Sequence, residues 1–169
     1  MAENIVTKLR VDKTEFADPV ANEAGLAAAT WEEQPLTYRE DVVEIVQSEP
    51  EEEELYSHEN DAPEDVDYTG AGLAVTGSFI KATREQMVSM MGGATSGEGD
   101  NAKYGHPSKL LVLEKAIRFT CKDGSQVIIP RAKGYVLMNL NLSKGGLGKF
   151  PFRFRCMEAS PDWPRDLLL

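Results

Sequence analysis

The sequence predicts a mainly β protein with one short flanking α-helix. Apolar and polar side chains alternate with the period-two rhythm of strands, above all at 73–80, 111–122 and 150–156. Turn residues punctuate these stretches, including an Asp123-Gly124 pair suited to a two-residue hairpin. One stretch alone carries the caps and spacing of a helix.

That helix lies within residues 70–93, the segment around which the rest of the chain is organised. Leu73 to Ile80 reads as a strand, with Val75, Gly77 and Phe79 on one face and Thr76, Ser78 and Ile80 on the other. Thr83 is a good N-cap, and Gln86 three residues later completes a capping box. Met87, Met90 and Met91 share one helical face, and Gly92-Gly93 suits the left-handed turn that closes a helix.

Before this segment the signals are weaker. Residues 5–11 alternate loosely and read as a first strand. Residues 12–29 hold few large apolar side chains, plus Pro19, Gly25 and an alanine run, and read as an extended arm or loop. Residues 36–48 have β-branched content and read as one strand, anchored at its start by Trp31 and broken by Pro50. Residues 49–67 hold Glu51, Glu52, Glu53 and Glu54 in a row with two prolines. Like charges so dense do not make a core strand, so a solvated acidic loop is expected.

After the helix, residues 94–107 are rich in Gly, Ser, Asn and Asp and read as a long loop. Leu111, Leu113, Ile117, Phe119 and Cys121 then share one strand face, with Glu114, Arg118, Thr120 and Lys122 opposite. The return strand runs from 126 to 129 and is expected to stop at Pro130. Residues 135–142 alternate again, and 144–149 form a Gly-rich loop. Phe150, Phe152, Phe154 and Cys156 line one face of the last strand, with Arg153 and Arg155 opposite. The tail ends in Leu167, Leu168 and Leu169, an apolar end expected to dock on its own core or on a neighbour.

At 169 residues one domain is expected, long enough to bury a real core. No apolar run approaches the roughly 18 residues of a membrane span, and the N-terminus lacks a signal-peptide pattern, so synthesis and folding in a cytoplasm are expected. Cys121 and Cys156 sit in apolar alternation and read as buried free thiols. The net charge of −10 is unevenly divided: residues 1–68 carry 20 acidic and 4 basic side chains, and residues 69–169 carry 8 and 14. Such a division suits either an acidic loop on an ordinary surface or subunits that meet head to tail. The overall sign argues against a protein that grips nucleic acid.

The motifs that evoke chemistry fail on inspection. Gly145-Gly146-Leu147-Gly148-Lys149 evokes a phosphate loop, but Ser143 and Phe150 stand where a glycine and a metal-binding hydroxyl are needed. His58 and His106 have no carboxylate or Cys at ligand spacing. Asp61, Glu64, Asp65 and Asp67 lack the order of a calcium loop. No Ser or Cys has a nucleophile-elbow context. Neither catalytic, cofactor-binding nor metal-binding residues are expected.

The order of elements carries a resemblance. An early strand precedes an acidic Glu49-Pro50 segment, and an Asn60-Asp61-Ala62-Pro63 loop follows. Then come a Gly-rich strand, a short helix ending Met90-Met91-Gly92-Gly93, a hairpin with Ile129-Pro130 and a closing pair of strands. Over residues 36–157 this order resembles the major tail tube proteins of tailed bacteriophages. The resemblance implies a β-sandwich or half-barrel with one flanking helix. Six copies would form a ring whose strands close a common barrel, and rings would stack head to tail into a hollow tube. Double-stranded DNA would pass through the tube without specific binding. Tail terminator, tape measure and baseplate or tip proteins would be partners, and the protein would belong to the virion tail, assembled in the host cytoplasm.

On this view the acidic candidates for the lumen are Glu40, Asp41, Glu44 and Glu114. Glu51, Glu52, Glu53 and Glu54 would face solvent, the lumen or the basic half of a neighbouring ring. Gly97, Tyr104, Leu167, Leu168 and Leu169 are candidates for contacts between subunits. Three alternatives remain: the inner tube of a contractile injection machine or type VI secretion system, a monomeric β-sandwich binding module, and an enzyme whose site the sequence does not reveal.

Overall fold

A computed structural model describes residues 9–169 of the chain. In chain order the first elements are β1 (Val11–Ala17), α1 (Glu23–Ala28), β2 (Glu32–Glu33), β3 (Leu36–Thr37) and β4 (Glu44–Gln47). The next are β5 (Glu51–Leu55), β6 (Asp65–Thr69), β7 (Leu73–Ile80) and α2 (Arg84–Met91). The last are β8 (Ala94–Ser96), β9 (Lys103–Gly105), β10 (Leu113–Cys121), β11 (Gln126–Val136), β12 (Asn139–Leu140) and β13 (Gly148–Cys156). The protein is mainly β, as expected, with helices of only 6 and 8 residues.

One nine-stranded antiparallel sheet dominates, with the path β2-β1-β10-β11-β13-β7-β3; β4 also pairs with β7, and β12 with β13. β2 and β3 lie at opposite ends of this path, yet only Gln34 and Pro35 separate them. The sheet therefore curls until its ends approach. The Gln34 N–H donates to the Thr14 carbonyl at 2.8 Å, and the Tyr38 N–H to the Ser78 carbonyl at 2.8 Å.

The concave face holds the core. Val75 and Phe79 of β7 and Phe150, Phe152 and Phe154 of β13 are buried there, as the alternation predicts. So are Leu113, Ile117 and Phe119 of β10. The α2 capping box forms as predicted: Thr83 Oγ1 accepts from the Gln86 N–H at 3.2 Å, and Gln86 Oε1 accepts from the Thr83 N–H at 3.0 Å. Met90 and Met91 point into the core with Met87 packed beside them, and Gly92 and Gly93 both take positive φ.

Several segments differ from expectation. The turn at Asp123-Gly124 is longer than two residues, since the Cys121 N–H donates to the Ser125 carbonyl at 2.8 Å and Gly124 alone takes positive φ there, and Gly148 and Lys149 belong to β13 rather than to the Gly-rich loop. Part of the stretch 5–11 lies outside the described residues, and Leu9 and Arg10 precede the strand that begins at Val11. Residues 12–29 are not an arm. β1 pairs with β10 and β2, and Phe16 is buried. Glu15 disguised this strand: it is buried because Arg118 Nε and Nη2 donate to its Oε1 at 3.1 and 2.9 Å, while the guanidinium stacks over Trp31. The helix α1 follows, capped by Asn22 Oδ1 accepting from the Gly25 N–H at 2.7 Å. Leu26, Ala29, Trp31 and Trp163 pack on Ala17, Val20 and Ala116, making a small second cluster.

Residues 36–48 are two strands, because the chain turns between Thr37 and Glu44 and pairs twice with β7. Residues 49–67 are no simple loop, since β5 and β6 form a hairpin, and within 94–107 β8 and β9 form a smaller one. Pro130 does not stop β11. Ile117 pairs with Ile129 and Lys115 with Ala132, so one residue of β10 faces two of β11. This bulge accommodates the proline, which has no N–H to give, and shifts the inward positions from Val127 and Ile129 to Ala132, Gly134 and Val136. Tyr135 and Val136 consequently end β11 rather than begin a separate strand.

Gly134 tests this packing, since a Cβ there would sit 1.9 Å from the Arg153 carbonyl oxygen. Gly134→Ala is expected to force β11 and β13 apart at a cost of about 1–3 kcal/mol or more. Thr83→Ala, which removes only a cap, should cost about 1 kcal/mol. Urea unfolding followed by circular dichroism checks both values and their order.

Candidate assembly surfaces

The hairpin β5–β6 projects from the body of the fold. Every side chain of its two strands is exposed except the half-buried Val66. Alternation and register place Glu51, Glu53, Leu55, Asp65, Asp67 and Thr69 on one face, and Glu52, Glu54, Val66 and Tyr68 on the other. Glu53 stands directly opposite Asp67, a pairing that works against the hairpin. Among the described residues none of these acids forms an ion pair. Local hydrogen bonds order the tip: Asn60 Nδ2 and Ser57 Oγ donate to Glu64 Oε1 at 2.7 and 2.8 Å, holding that carboxyl below its usual range, and Tyr56 donates to Glu54.

The convex face of β13, β11 and β7 has the opposite character. Arg155 pairs across strands with Lys133, Arg153 with Tyr135, and both arginines lie against β7 at Ala74 and Thr76. Lys133, Arg153 and Arg155 are exposed and make no ion pair among the described residues. The Arg155 guanidinium lies over Gly72, beside a shallow groove of about 250 Å³ that Glu44 and Arg153 also line.

The four lumen candidates separate into two kinds. Asp41 lies in the turn before β4, where it accepts from Lys149 Nζ at 2.7 Å and Ser78 Oγ at 2.7 Å. Glu114 accepts from Arg131 Nε at 2.6 Å. Both charges are matched within this chain. Glu40 and Glu44 are exposed and make no ion pair among the described residues. Glu44 and Glu114 share their sheet face with Lys133, Arg153 and Arg155, so that face is not acidic by itself.

The five proposed contact residues also differ. Gly97 is exposed in the β8–β9 hairpin at φ 84. Tyr104 is tied to its own chain: its hydroxyl donates to the Gly92 carbonyl at 2.6 Å, its ring packs on the core, and burial raises its pKa. Leu168 docks on β11 through paired backbone hydrogen bonds with Ile128, and Leu167 packs on the core. Leu169 remains 62% exposed beside a pocket of about 270 Å³ lined by Val11, Ile45, Leu73, Cys121 and Val127.

Sequence reasoning missed an apolar groove of about 600 Å³. Leu110, Leu111, Leu137 and Leu140 line it, all exposed, with Val112 and Leu142 exposed nearby in sequence. Its sequence signal was the Leu110-Leu111-Val112 run, in which Leu111 was expected on the core strand face; β10 begins only at Leu113, which leaves Leu111 exposed in the groove. The groove lies at the end of the sheet where β10 begins and β11 finishes. The Leu73 pocket, with the base of β5–β6, lies at the opposite end, where β10 finishes and β11 begins.

Cys121 and Cys156 are free and buried, and burial pushes the Cys156 thiol up to about 11. Among the described residues no three His, Cys, Asp or Glu side chains converge as metal ligands, and no helix is long and apolar enough to cross a membrane. No protein-family model matches the chain, and no curated protein matches it significantly.

The Asp41 site predicts a pH dependence. Hydrogen bonds from Lys149 and Ser78 hold its pKa below the ordinary 3.8. A depressed carboxylate contributes stability that is present above its unfolded pKa and lost as pH falls through the folded one. Asp41→Asn should therefore destabilise the protein at neutral pH, and the gap to the parent should close as pH falls below 3.8. Thermal unfolding at stepwise lower pH measures this, and a gap that stays constant would contradict it.

Proposed function

We propose that the chain is a structural, self-assembling subunit of a hollow tube, in the manner of the bacteriophage tail tube proteins its element order resembles. One observation carries this reading: unpartnered surfaces of different kinds lie at opposite ends of the same sheet. An exposed apolar groove sits at one end, and an acidic hairpin with no packing partner among the described residues springs from the other. Apolar surface of that kind marks a contact site, and an isolated two-stranded hairpin is marginal in water. Unlike surfaces at opposite ends suit heterologous, head-to-tail contact, which propagates into filaments or closes into rings.

In this reading six copies form a ring, the curled sheets contribute strands to a ring-wide barrel, and stacked rings enclose a lumen for double-stranded DNA. A conduit must not hold phosphate, because each Lys or Arg that releases counterions adds drag. The face with Glu44 and Glu114 also exposes Lys133, Arg153 and Arg155. A DNA conduit therefore requires those cations to be covered or turned away from the lumen.

Negative-stain microscopy and sedimentation of the concentrated protein test the reading; rings or tubes are expected. Leu137→Glu with Leu140→Glu should raise the concentration needed for assembly by about tenfold or more. Stability should stay within about 0.5 kcal/mol, as both side chains are exposed. A protein that remains monomeric at every concentration and ionic strength overturns the reading.

A further inference from the structure

We infer that the convex sheet face bearing Lys133, Arg153 and Arg155 is the docking surface for the β5–β6 hairpin of a second copy of this chain. The inference rests on the assembly reading and specifies one of its contacts.

Each surface holds a cross-strand pair of like charges. On the hairpin, Glu53 faces Asp67 across the strands and Glu51 stands two residues along. On the sheet, Arg155 faces Lys133 across the strands and Arg153 stands two residues along. Like charges in direct cross-strand pairs destabilise a sheet. Both clusters are exposed, and none of their charges forms an ion pair among the described residues; Glu114, opposite Lys133 on β10, is engaged by Arg131, and Glu44 lies on the same face.

The two clusters also share one lattice. In each, a cross-strand pair is followed by a third like charge on the same face, roughly 7 Å along the strand. Laid face to face, the Glu53–Asp67 pair covers the Arg155–Lys133 pair. Four acids on the hairpin face, counting Asp65, exceed three cations, so docking leaves the covered surface slightly acidic. Docking thereby hides the cations that would otherwise hold phosphate. Three cations with one tyrosine are few for gripping a duplex, where binding scales with the number of phosphates neutralised.

Charge reversal tests the contact. Glu53→Lys with Asp67→Lys makes one variant, and Lys133→Glu with Arg155→Glu makes a second. A third carries all four changes. Every substituted side chain is exposed, and circular dichroism with thermal unfolding verifies that each variant folds. Should a reversal fail to fold, the same pairs changed to Gln replace it, and loss of assembly in both neutralised pairs then supports the contact.

At low salt, each half-reversed variant is expected to need about tenfold more protein to assemble than the parent, and the fourfold variant should return to within about threefold. The gap should narrow at high salt, where the screening length falls to about 3 Å at 1 M. Half-reversed or neutralised variants that assemble like the parent overturn the docking and leave the assembly reading intact, as does a fourfold variant that fails to recover. A parent that never self-associates overturns the assembly reading and this contact with it. A labelled 30-base-pair duplex that binds the parent and loses binding in the Lys133→Glu, Arg155→Glu variant, while self-association is unchanged, assigns the face to nucleic acid and overturns the proposal.

Discussion

Phe16 and Phe79 belong to strands near opposite ends of the sheet, yet their rings lie 6.1 Å apart. Phe154 meets Phe16 edge-on at 5.5 Å, and Phe152 stacks on Phe79 at 4.5 Å. Burying each such side chain contributes roughly 1.5–3 kcal/mol, and favourable ring geometry adds to it. Four rings from three strands reach one another only if the sheet curls. The curl in turn lets Gln34 and Pro35 span the two ends of the strand order. Gly77 belongs to the same arrangement, since a Cβ there would lie 2.7 Å from the Phe152 ring and 2.9 Å from Val43.

The curl also sorts the charges. With aromatic and aliphatic side chains drawn to the concave face, alternation sends Arg153, Arg155, Lys133 and Glu44 outward together. Some outward charges find partners across strands, as Glu15 does with Arg118 and Glu114 with Arg131. Others are left in rows of one sign. The acidic half of the sequence becomes a projecting hairpin because β4 and β7 are neighbours in the sheet, and the residues between them have no place in the core.

The groove and the hairpin follow from the same geometry. Once β10 and β11 set the long axis of the sheet, the residues just before β10 and just after β11 are placed at one end, and the connection from β4 to β7 at the other. The apolar side chains of Leu110, Leu111, Leu137 and Leu140 lie beyond the last turn of the core and stay exposed. The two ends of the molecule therefore differ in kind, apolar at one and acidic at the other.

Local chemistry was legible in the sequence: a strand at 73–80, strands within 111–122 and at 150–156, a turn at Asp123-Gly124 that is longer than the two residues expected, and the Thr83–Gln86 capping box. Each rests on alternation or on partners a few residues apart. The acidic run and the basic C-terminal half were also visible as charge. What the sequence alone did not determine depends on partners far along the chain. β1 was hidden because its buried Glu15 is satisfied by Arg118, 103 residues away. β11 passes Pro130 because a bulge opposite β10 absorbs it. The glutamate run is a strand because it pairs with 65–69, a register the composition opposes. Asp41 and Tyr104, both marked for contacts between subunits or the lumen, are held by Lys149 and Gly92 of their own chain. Period and caps are properties of neighbouring residues, whereas pairing, register and the company a charge keeps are decided when distant strands meet.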